Sequence, residues 1–245
     1  MPINILVPMA GAGARFARAG YTKPKPLIDI EGKPMIQWVV ENINIDGRYI
    51  FILQKEHLRR YPDIETALRE LAEDVEIIEV ESLTEGAAST ALLAKEYIDN
   101  DSPLLICNSD QWVDWDPQRF LNFVNRKDSD GALLTFFSDS PKHSYSRYNY
   151  DTRLVTEVAE KQVISNNATV GIYYWKSGSL FVECAESMID KNIRFNNEFY
   201  ICPVYNELIF GRNGKVHLYP IAEMRGMGTP EELNRFLDLL ETEGI

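Results

Sequence analysis

Short, largely apolar runs alternate with amphipathic stretches along most of the chain. The runs occupy residues 3–8, 49–53, 75–80, 103–107 and 131–138, and such runs are typical of buried strands. After the first run, apolar residues recur on one helical face, namely Met35, Ile36, Val39, Val40 and Ile43. Alternating strands and helices predict a mostly parallel sheet with helices on its faces, which binds ligands at the carboxyl ends of its strands.

The second part of the chain predicts a β-rich excursion over this sheet. Two strands are expected in residues 155–161 and 165–175, whereas the polar and aromatic residues 139–149 predict a surface loop. A closing strand is expected over residues 216–221.

Further helices follow from capping residues and from helical spacing. They are predicted over residues 57–73, from Asp116-Pro117 onwards, over residues 177–189, and from Thr229-Pro230 onwards. Asn196 or Asn197 is expected to cap a helix that runs to about residue 210 and holds Glu198 in its first turn.

Composition then narrows the class of protein. With 245 residues, one large α/β domain is the default organisation, and residues 1–115 and 130–225 form its two halves. The net charge of −12 argues against a nucleic-acid-binding surface, which needs clustered cations. No apolar run has the length of a membrane span, and the three cysteines are widely spaced, as in reduced proteins. We expect a cytoplasmic protein without a membrane or nucleic-acid partner, and its oligomeric state stays open.

The loop after the first strand carries the most specific chemistry. Gly11 and Gly13 stand among small residues, which let backbone N–H groups wrap an anion, and Arg15 follows. Lys25 is held between two prolines, whose fixed φ stiffens the loop. Neither a P-loop nor a complete dinucleotide fingerprint is present. A strand, a small-residue loop and two positioned cations predict a polyphosphate site.

Together with Pro24-Lys25-Pro26-Leu27 and the later Gly228-Thr229-Pro230-Glu231, this loop resembles the opening and closing motifs of one family. The sequence resembles the sugar-phosphate nucleotidyltransferases, also called nucleoside-diphosphate-sugar pyrophosphorylases, and in particular a capsule-associated bacterial branch. The resemblance implies a three-layer α/β/α Rossmann-like (GT-A-like) fold. It also implies Mg²⁺ as cofactor, and a nucleoside triphosphate, with a lean towards CTP, and a phosphorylated small molecule as substrates.

The resemblance also assigns roles to particular residues. Arg15 and Lys25 are expected to be catalytic, and Asp110, just past a buried strand, is expected to bind the metal. Glu160, Lys161 and Gly171 are expected on the acceptor side, beside Glu198. The expected nucleotide-binding residues are Met9, Ala10, Gly11, Ala12, Gly13, Ala14, Gly86, Asn108 and Ser109. Among these, Gly86 is expected to contact the nucleobase.

Structural explanations compete with several of these roles. A helix capped by Ser82 or Thr84 would explain the small residues around Gly86, and Asp110 could simply form a turn. Three roles are possible for Glu198. It could be a charge that the helix dipole alone favours in a first turn, a second metal ligand, or a contact to an acceptor amine or hydroxyl.

One departure from the family pattern concerns the metal. Many relatives carry an aspartate or asparagine just before the glycine of the closing motif, where this chain has Met227, and a thioether is a poor magnesium ligand. Either Glu198 supplies the second contact, or Asp110 is the only protein ligand and phosphates with water complete the shell.

Three other functions stay open at this point. A glycosyltransferase of the related fold could use Asp114-Trp115-Asp116 as its metal motif. An enzyme of the same fold could activate a non-sugar phosphate, and a regulatory module could bind nucleotide without chemistry.

Overall fold

The computed structural model describes residues 2–243. Its strands are β1 (Ile3–Pro8), β2 (Asp29–Ile30), β3 (Lys33–Pro34), β4 (Gly47–Gln54), β5 (Asp74–Val80), β6 (Leu104–Cys107), β7 (Gln111–Val113), β8 (Gly131–Phe137), β9 (Tyr145–Asn149), β10 (Leu154–Ala159), β11 (Asn167–Trp175), β12 (Val216–Pro220) and β13 (Met224–Gly226). Its helices are α1 (Ala14–Arg18), α2 (Met35–Ile43), α3 (Lys55–Arg60), α4 (Asp63–Arg69), α5 (Ala87–Leu92), α6 (Lys95–Ile98), α7 (Pro117–Lys127), α8 (Gly178–Asp190), α9 (Val204–Arg212) and α10 (Pro230–Glu243).

The main sheet has a parallel side and an antiparallel side. On the parallel side β1 pairs with β4 and with β6, and β4 pairs with β5. Strand β11 runs antiparallel to β6 and continues the sheet towards β8 and β9. Strand β10 pairs antiparallel with β9, and β12 runs parallel to β8. Outside this nine-stranded sheet, β13 pairs with β7 and β2 pairs with β3.

Each face of the sheet carries its own apolar core. Helices α2, α7 and α10 pack on one face, through side chains such as Ile36, Phe120 and Phe236. Helices α5, α6, α8 and α9 cover the other, where Trp175 stacks on Tyr205 at 4.3 Å between ring centroids. Burying a large apolar side chain completely contributes roughly 1.5–3 kcal/mol. The three-layer α/β/α class expected from the sequence is confirmed.

Several helix boundaries follow from the predicted caps. The Asp116 side chain accepts a hydrogen bond from the Arg119 backbone N–H at the start of α7, and Thr229 does the same for Glu232 in α10. The single helix predicted over residues 57–73 is wrong, because the chain forms α3 and α4 with Pro62 between them. Tyr61, which precedes this proline, has left the helical region, as its steric clash with the ring requires.

The surface loop predicted over residues 139–149 is also wrong in its second half. Strand β9 begins at Tyr145, and both Tyr145 and Ser146 are fully buried. The polar sequence of β9 hides this strand, because its identity comes from pairing with β10 and β11 rather than from its own pattern.

A third correction concerns the helix expected to start at Asn196 or Asn197. Both residues have left-handed backbone angles, with φ of 47° and 65°, and they form a two-residue turn between Phe195 and Glu198. Asparagine tolerates this conformation, and two such residues are typical of a hairpin turn. The helix α9 begins only at Val204, so Glu198 lies on a hairpin and not in the first turn of a helix.

Within residues 2–243, no helix is both long and apolar enough to cross a membrane.

Candidate active site

The predicted phosphate loop follows β1 at the carboxyl edge of the parallel strands. Met9 and Ala10 are buried and anchor the loop, since Met9 N–H donates to the Ile52 carbonyl and Gln54 donates to the Ala10 carbonyl. Gly11, Ala12 and Ala14 are exposed, and Gly13 adopts a left-handed φ of 59° where α1 begins. The loop therefore presents exposed small residues on a fixed base.

Lys25 and Asp110 meet beside this loop. The Lys25 Nζ lies 2.7 Å from Asp110 Oδ2, and both side chains keep about a fifth of their surface exposed, at 22% and 23%. A Cβ added at Gly13 would lie 3.5 Å from the Lys25 Cβ, so the loop and the lysine are in contact. The structure thus brings together the predicted loop, one of its two cations and the predicted metal ligand.

Arg15 lies apart from this ion pair. It is exposed on α1, and no hydrogen bond or ion pair joins it to Lys25 or Asp110 in the described part of the chain. The positive charge of Arg15 instead influences Glu231 of α10. The pKa of Glu231 is lowered by its own backbone N–H, by Thr229 and, to a lesser degree, by Arg15.

Asn108 and Gly171 form the point where the two sides of the sheet meet. The Asn108 N–H donates to the Gly171 carbonyl at 2.9 Å, and Ser109 beside it is buried. Gly171 has φ of 78°, and a Cβ there would lie 2.1 Å from the Asn108 side-chain nitrogen. A glycine is therefore required at residue 171, where the register between β11 and β8 shifts.

The predicted acceptor residues form a second cluster. Glu160 is 7% exposed and accepts a short hydrogen bond from the Ser144 hydroxyl. Burial raises the pKa of Glu160, and the negative charge of Glu198 adds to this, whereas Ser144 and the charge of Lys161 partly oppose it. This carboxyl group is thus held in one place by its surroundings.

Lys161 is held by an aromatic side chain of the same cluster. Its Nζ donates to the Tyr200 hydroxyl at 2.7 Å and lies 4.5 Å from the centre of the same ring. Burial, followed by a hydrogen bond to Glu198, raises the pKa of Tyr200. The hairpin therefore brings Glu198 to the acceptor side, and no contact joins it to Asp110 in residues 2–243.

Gly86 connects the expected base site to this hairpin. Phe199 donates its N–H to the Glu85 carbonyl at 2.8 Å and accepts one from Ala88 at 2.9 Å. Gly86 has φ of 132°, and a Cβ there would lie 2.4 Å from the Phe199 carbonyl oxygen. Gly86 itself precedes α5, which has no side-chain cap, so a helix capped by Ser82 or Thr84 does not explain this segment.

The cysteines are not candidate nucleophiles. All three are free and buried, and burial raises the pKa of Cys107 and Cys202 and lifts that of Cys184 to about 11.

Several residues of the two clusters were not predicted from the sequence. They are Ser144, Arg194, Tyr200, Gly228 and Glu232. Arg194 forms a 3.0 Å ion pair with Glu85 and so adds a second link between the hairpin and the segment around Gly86. Sequence spacing gives no sign of these contacts, although the Asn196-Asn197 pair is a hairpin signal that could have revealed the turn.

Parallel strands that carry a glycine loop and an ion pair at their carboxyl edge are typical of α/β proteins that bind ligands at this edge. The model of the family described as "Nucleotidyl transferase" matches residues 5–202. The chain belongs to this nucleotidyl transferase family.

Individual relatives agree with this membership. The crystal structure of a nucleoside-diphosphate-sugar pyrophosphorylase from Vibrio cholerae RC9 matches with a TM-score of 0.81 at 26% identity, over 96% of this chain and 99% of that one. Mannose-1-phosphate guanylyltransferase catalytic subunit beta from Danio rerio is 26% identical over 197 residues, which are 78% of this chain and 55% of the relative. Mannose-1-phosphate guanyltransferase from Emericella nidulans is 28% identical over 185 residues, which are 70% of this chain and 49% of the relative. The chain spans about half the length of these curated relatives.

Proposed function

We propose that this protein condenses a nucleoside triphosphate with a sugar phosphate, or with another small phosphorylated acceptor, and releases pyrophosphate. The single observation that carries this proposal is the Lys25–Asp110 contact of 2.7 Å beside the Gly13 loop. The family membership and the matched pyrophosphorylase from Vibrio cholerae support the same chemistry. A role in capsule synthesis is the corresponding biological expectation.

In the proposed reaction, an oxygen of the acceptor phosphate attacks the α-phosphorus of the triphosphate in line. The bond between the α-phosphorus and its bridging oxygen breaks, and the electron pair leaves with pyrophosphate. Because both reactants are anions, alignment and neutralisation of charge matter more than a protein nucleophile.

The cations divide this work between them. Lys25 lies near the α-phosphate in this proposal, Arg15 stabilises the departing pyrophosphate from its exposed position on α1, and Lys161 holds the acceptor phosphate. The exposed backbone of residues 11–14 wraps the phosphates, and the segment around Gly86 contacts the base.

Glu160 and Glu198 then orient the rest of the acceptor. Their carboxyl groups fit a hydroxyl, as in a sugar phosphate, and equally an amine, as in a non-sugar phosphate. Glu160 is the more rigid of the two because it is buried and bound by Ser144.

The residues around Asp110 fit a divalent cation. Asp110 offers oxygen donors, and an ammonium group already lies on its Oδ2. The absence of a side chain at Gly228 lets this carboxylate lie close to the backbone there. The part of the chain that is described contains no group of three or more metal-binding side chains. Mg²⁺ bound here by Asp110 and by substrate phosphates would supply charge neutralisation.

A release assay tests the proposal. The protein is mixed with each of the four nucleoside triphosphates, including the expected CTP, and with a panel of sugar phosphates and amine-bearing phosphates. We expect pyrophosphate only when both a triphosphate and an acceptor are present, together with one molecule of activated product for each pyrophosphate.

Other outcomes would identify the competing functions. A glycosyltransferase would release nucleoside diphosphate from a sugar nucleotide, and a binding module would release neither product. The capping hydrogen bond that Asp116 accepts at the start of α7 gives this aspartate a structural role, which disfavours the glycosyltransferase.

A further inference from the structure

Residues 226–228 span the end of β13 and the two residues after it, and Gly228 lies against the ion pair of the candidate site. Met227 is fully buried in the core of the sheet face that carries α10, and its N–H donates to the Asp110 carbonyl at 2.7 Å. Its side chain therefore points away from the Asp110 carboxylate. Glycines flank it on both sides, so the backbone reaches the site here without side chains of its own.

Two carboxylates occupy the space that these glycines leave. A Cβ added at Gly228 would lie 2.7 Å from Asp110 Oδ2 and 3.5 Å from Glu232 Oε2. A Cβ added at Gly226 would lie 3.3 Å from the same Glu232 oxygen. Asp110 Oδ2 and Glu232 Oε2 thus both lie close to the same position beside Gly228.

The neighbouring charges leave Glu232 weakly compensated. Its Oε1 lies 3.8 Å from the Nζ of Lys142, which is too long for a hydrogen bond, and the lysine side chain is 69% exposed. On the other side, Lys25 already pairs with Asp110. Two carboxylates that converge on one point repel each other unless a cation lies between them.

The first turn of α10 has a second glutamate, Glu231, whose position the helix dipole is sufficient to explain. Glu231 is exposed, and its own backbone N–H and Thr229 lower its pKa. The Glu232 side chain is only 28% exposed and turns inward towards Gly226 and Gly228. The dipole explains Glu231, but it does not explain the direction of Glu232.

We propose that Glu232 is the second carboxylate ligand of the divalent cation that Asp110 binds. This inference rests on the proposed function, because it assumes that cation. It explains why the chain can have Met227, a poor metal ligand, just before Gly228, because the second ligand then comes from α10. Glu198, the other candidate for this role, lies in the acceptor cluster with Tyr200.

Mn²⁺ titration tests this ligand without any turnover. Mn²⁺ is added to the full-length protein, alone and with inorganic tripolyphosphate, and free Mn²⁺ is measured by electron paramagnetic resonance. Glu232→Gln and Asp110→Asn should each weaken Mn²⁺ binding by at least about 10-fold. The matched control Glu231→Gln removes the same charge from the same helical turn and should keep the wild-type affinity. Circular dichroism and thermal unfolding verify that each variant is folded.

The remaining outcomes separate this inference from the proposed function. If Asp110→Asn loses Mn²⁺ and Glu232→Gln binds it like the wild type, Glu232 is not a ligand, and the proposed reaction stands. Equal losses in Glu231→Gln and Glu232→Gln would show a general charge effect and would also overturn the inference. If wild-type protein binds no Mn²⁺ in either condition, or if Asp110→Asn binds it normally, the inference is overturned together with the metal assignment of Asp110.

Discussion

The phosphate-side loop and the acceptor-side hairpin contribute to one edge of the molecule, but different forces hold them. The phosphate side consists of backbone at the ends of parallel strands, with one partly exposed ion pair between Lys25 and Asp110. The acceptor side rests on antiparallel strands and on buried side-chain hydrogen bonds, such as the one from Ser144 to Glu160.

This difference indicates how each side receives its ligand. A partly exposed ion pair contributes only modestly to stability, so we expect Lys25 and Asp110 to exchange each other for phosphates and a cation at low cost. A buried and hydrogen-bonded carboxyl group cannot move without leaving its partner unsatisfied. We therefore expect the phosphate side to adapt to its ligand and the acceptor side to be preorganised.

The largest effect is expected from the phosphate side. Lys25→Ala and Asp110→Ala should each lower kcat by about 10²–10³-fold, because each removes charge stabilisation at the reacting phosphates. Unfolding temperatures should change little, since the pair is partly exposed to solvent. Steady-state pyrophosphate release and thermal unfolding measure the two effects.

The exposed ion pair between Lys33 and Glu41 offers the control for this prediction. Its 2.8 Å distance is close to the 2.7 Å of the Lys25–Asp110 pair, but it lies outside the candidate site, so Lys33→Ala should leave turnover unchanged. Wild-type turnover in both Lys25→Ala and Asp110→Ala would contradict the roles assigned to them.

A smaller effect is expected where the two sides are joined. Gly86→Ala places a Cβ against the Phe199 backbone at a left-handed φ, and should destabilise the protein by roughly 1–3 kcal/mol. It should also raise KM for both substrates, because it pushes the base segment and the acceptor hairpin apart. Chemical denaturation and a two-substrate KM series measure this.

The matched glycine substitution is Gly211→Ala in α9. A Cβ there meets nothing within 4 Å, so this variant should be neutral or up to about 1 kcal/mol more stable. A change in KM for only one substrate in Gly86→Ala would show that the two sides are not coupled through this glycine.

The contrast between the parallel and antiparallel sides also explains which features could be predicted from the sequence. The strands of the parallel side and the position of the small-residue loop after β1 were predicted well, because apolar runs and the Gly-x-Gly-x-Arg spacing are local signals. Strand β9 was not, since its residues are polar and its pairing partners lie far along the chain. The contacts of Lys161 with Tyr200 and of Asp110 with Gly228 follow from the tertiary fold, and no local spacing encodes them.

One error had a consequence for the site itself. The predicted helix start placed Glu198 in a dipole environment, where a capping role competed with ligand binding. Left-handed Asn196 and Asn197 replace that helix start with a turn, so the dipole explanation for Glu198 no longer applies. This correction supports the proposed contact of Glu198 to the acceptor.

The smallest expected effect is a pH dependence of stability on the acceptor side. Burial raises the pKa of Glu160, so the folded protein disfavours its ionised form. The stability that this group contributes is fully present below its unfolded pKa of about 4.3, and it is lost as pH rises through the higher folded value. Glutamine keeps an acceptor for Ser144 and cannot ionise. Glu160→Gln should therefore be more stable than the wild type at about pH 8, and this stability difference should be smaller at about pH 5. Thermal unfolding at both pH values measures the difference, and Glu157→Gln on the partly exposed face of β10 should show no such trend. If the advantage of Glu160→Gln stayed constant or grew towards acid pH, the acceptor side would not hold a buried carboxyl group, and its contrast with the phosphate side would fail.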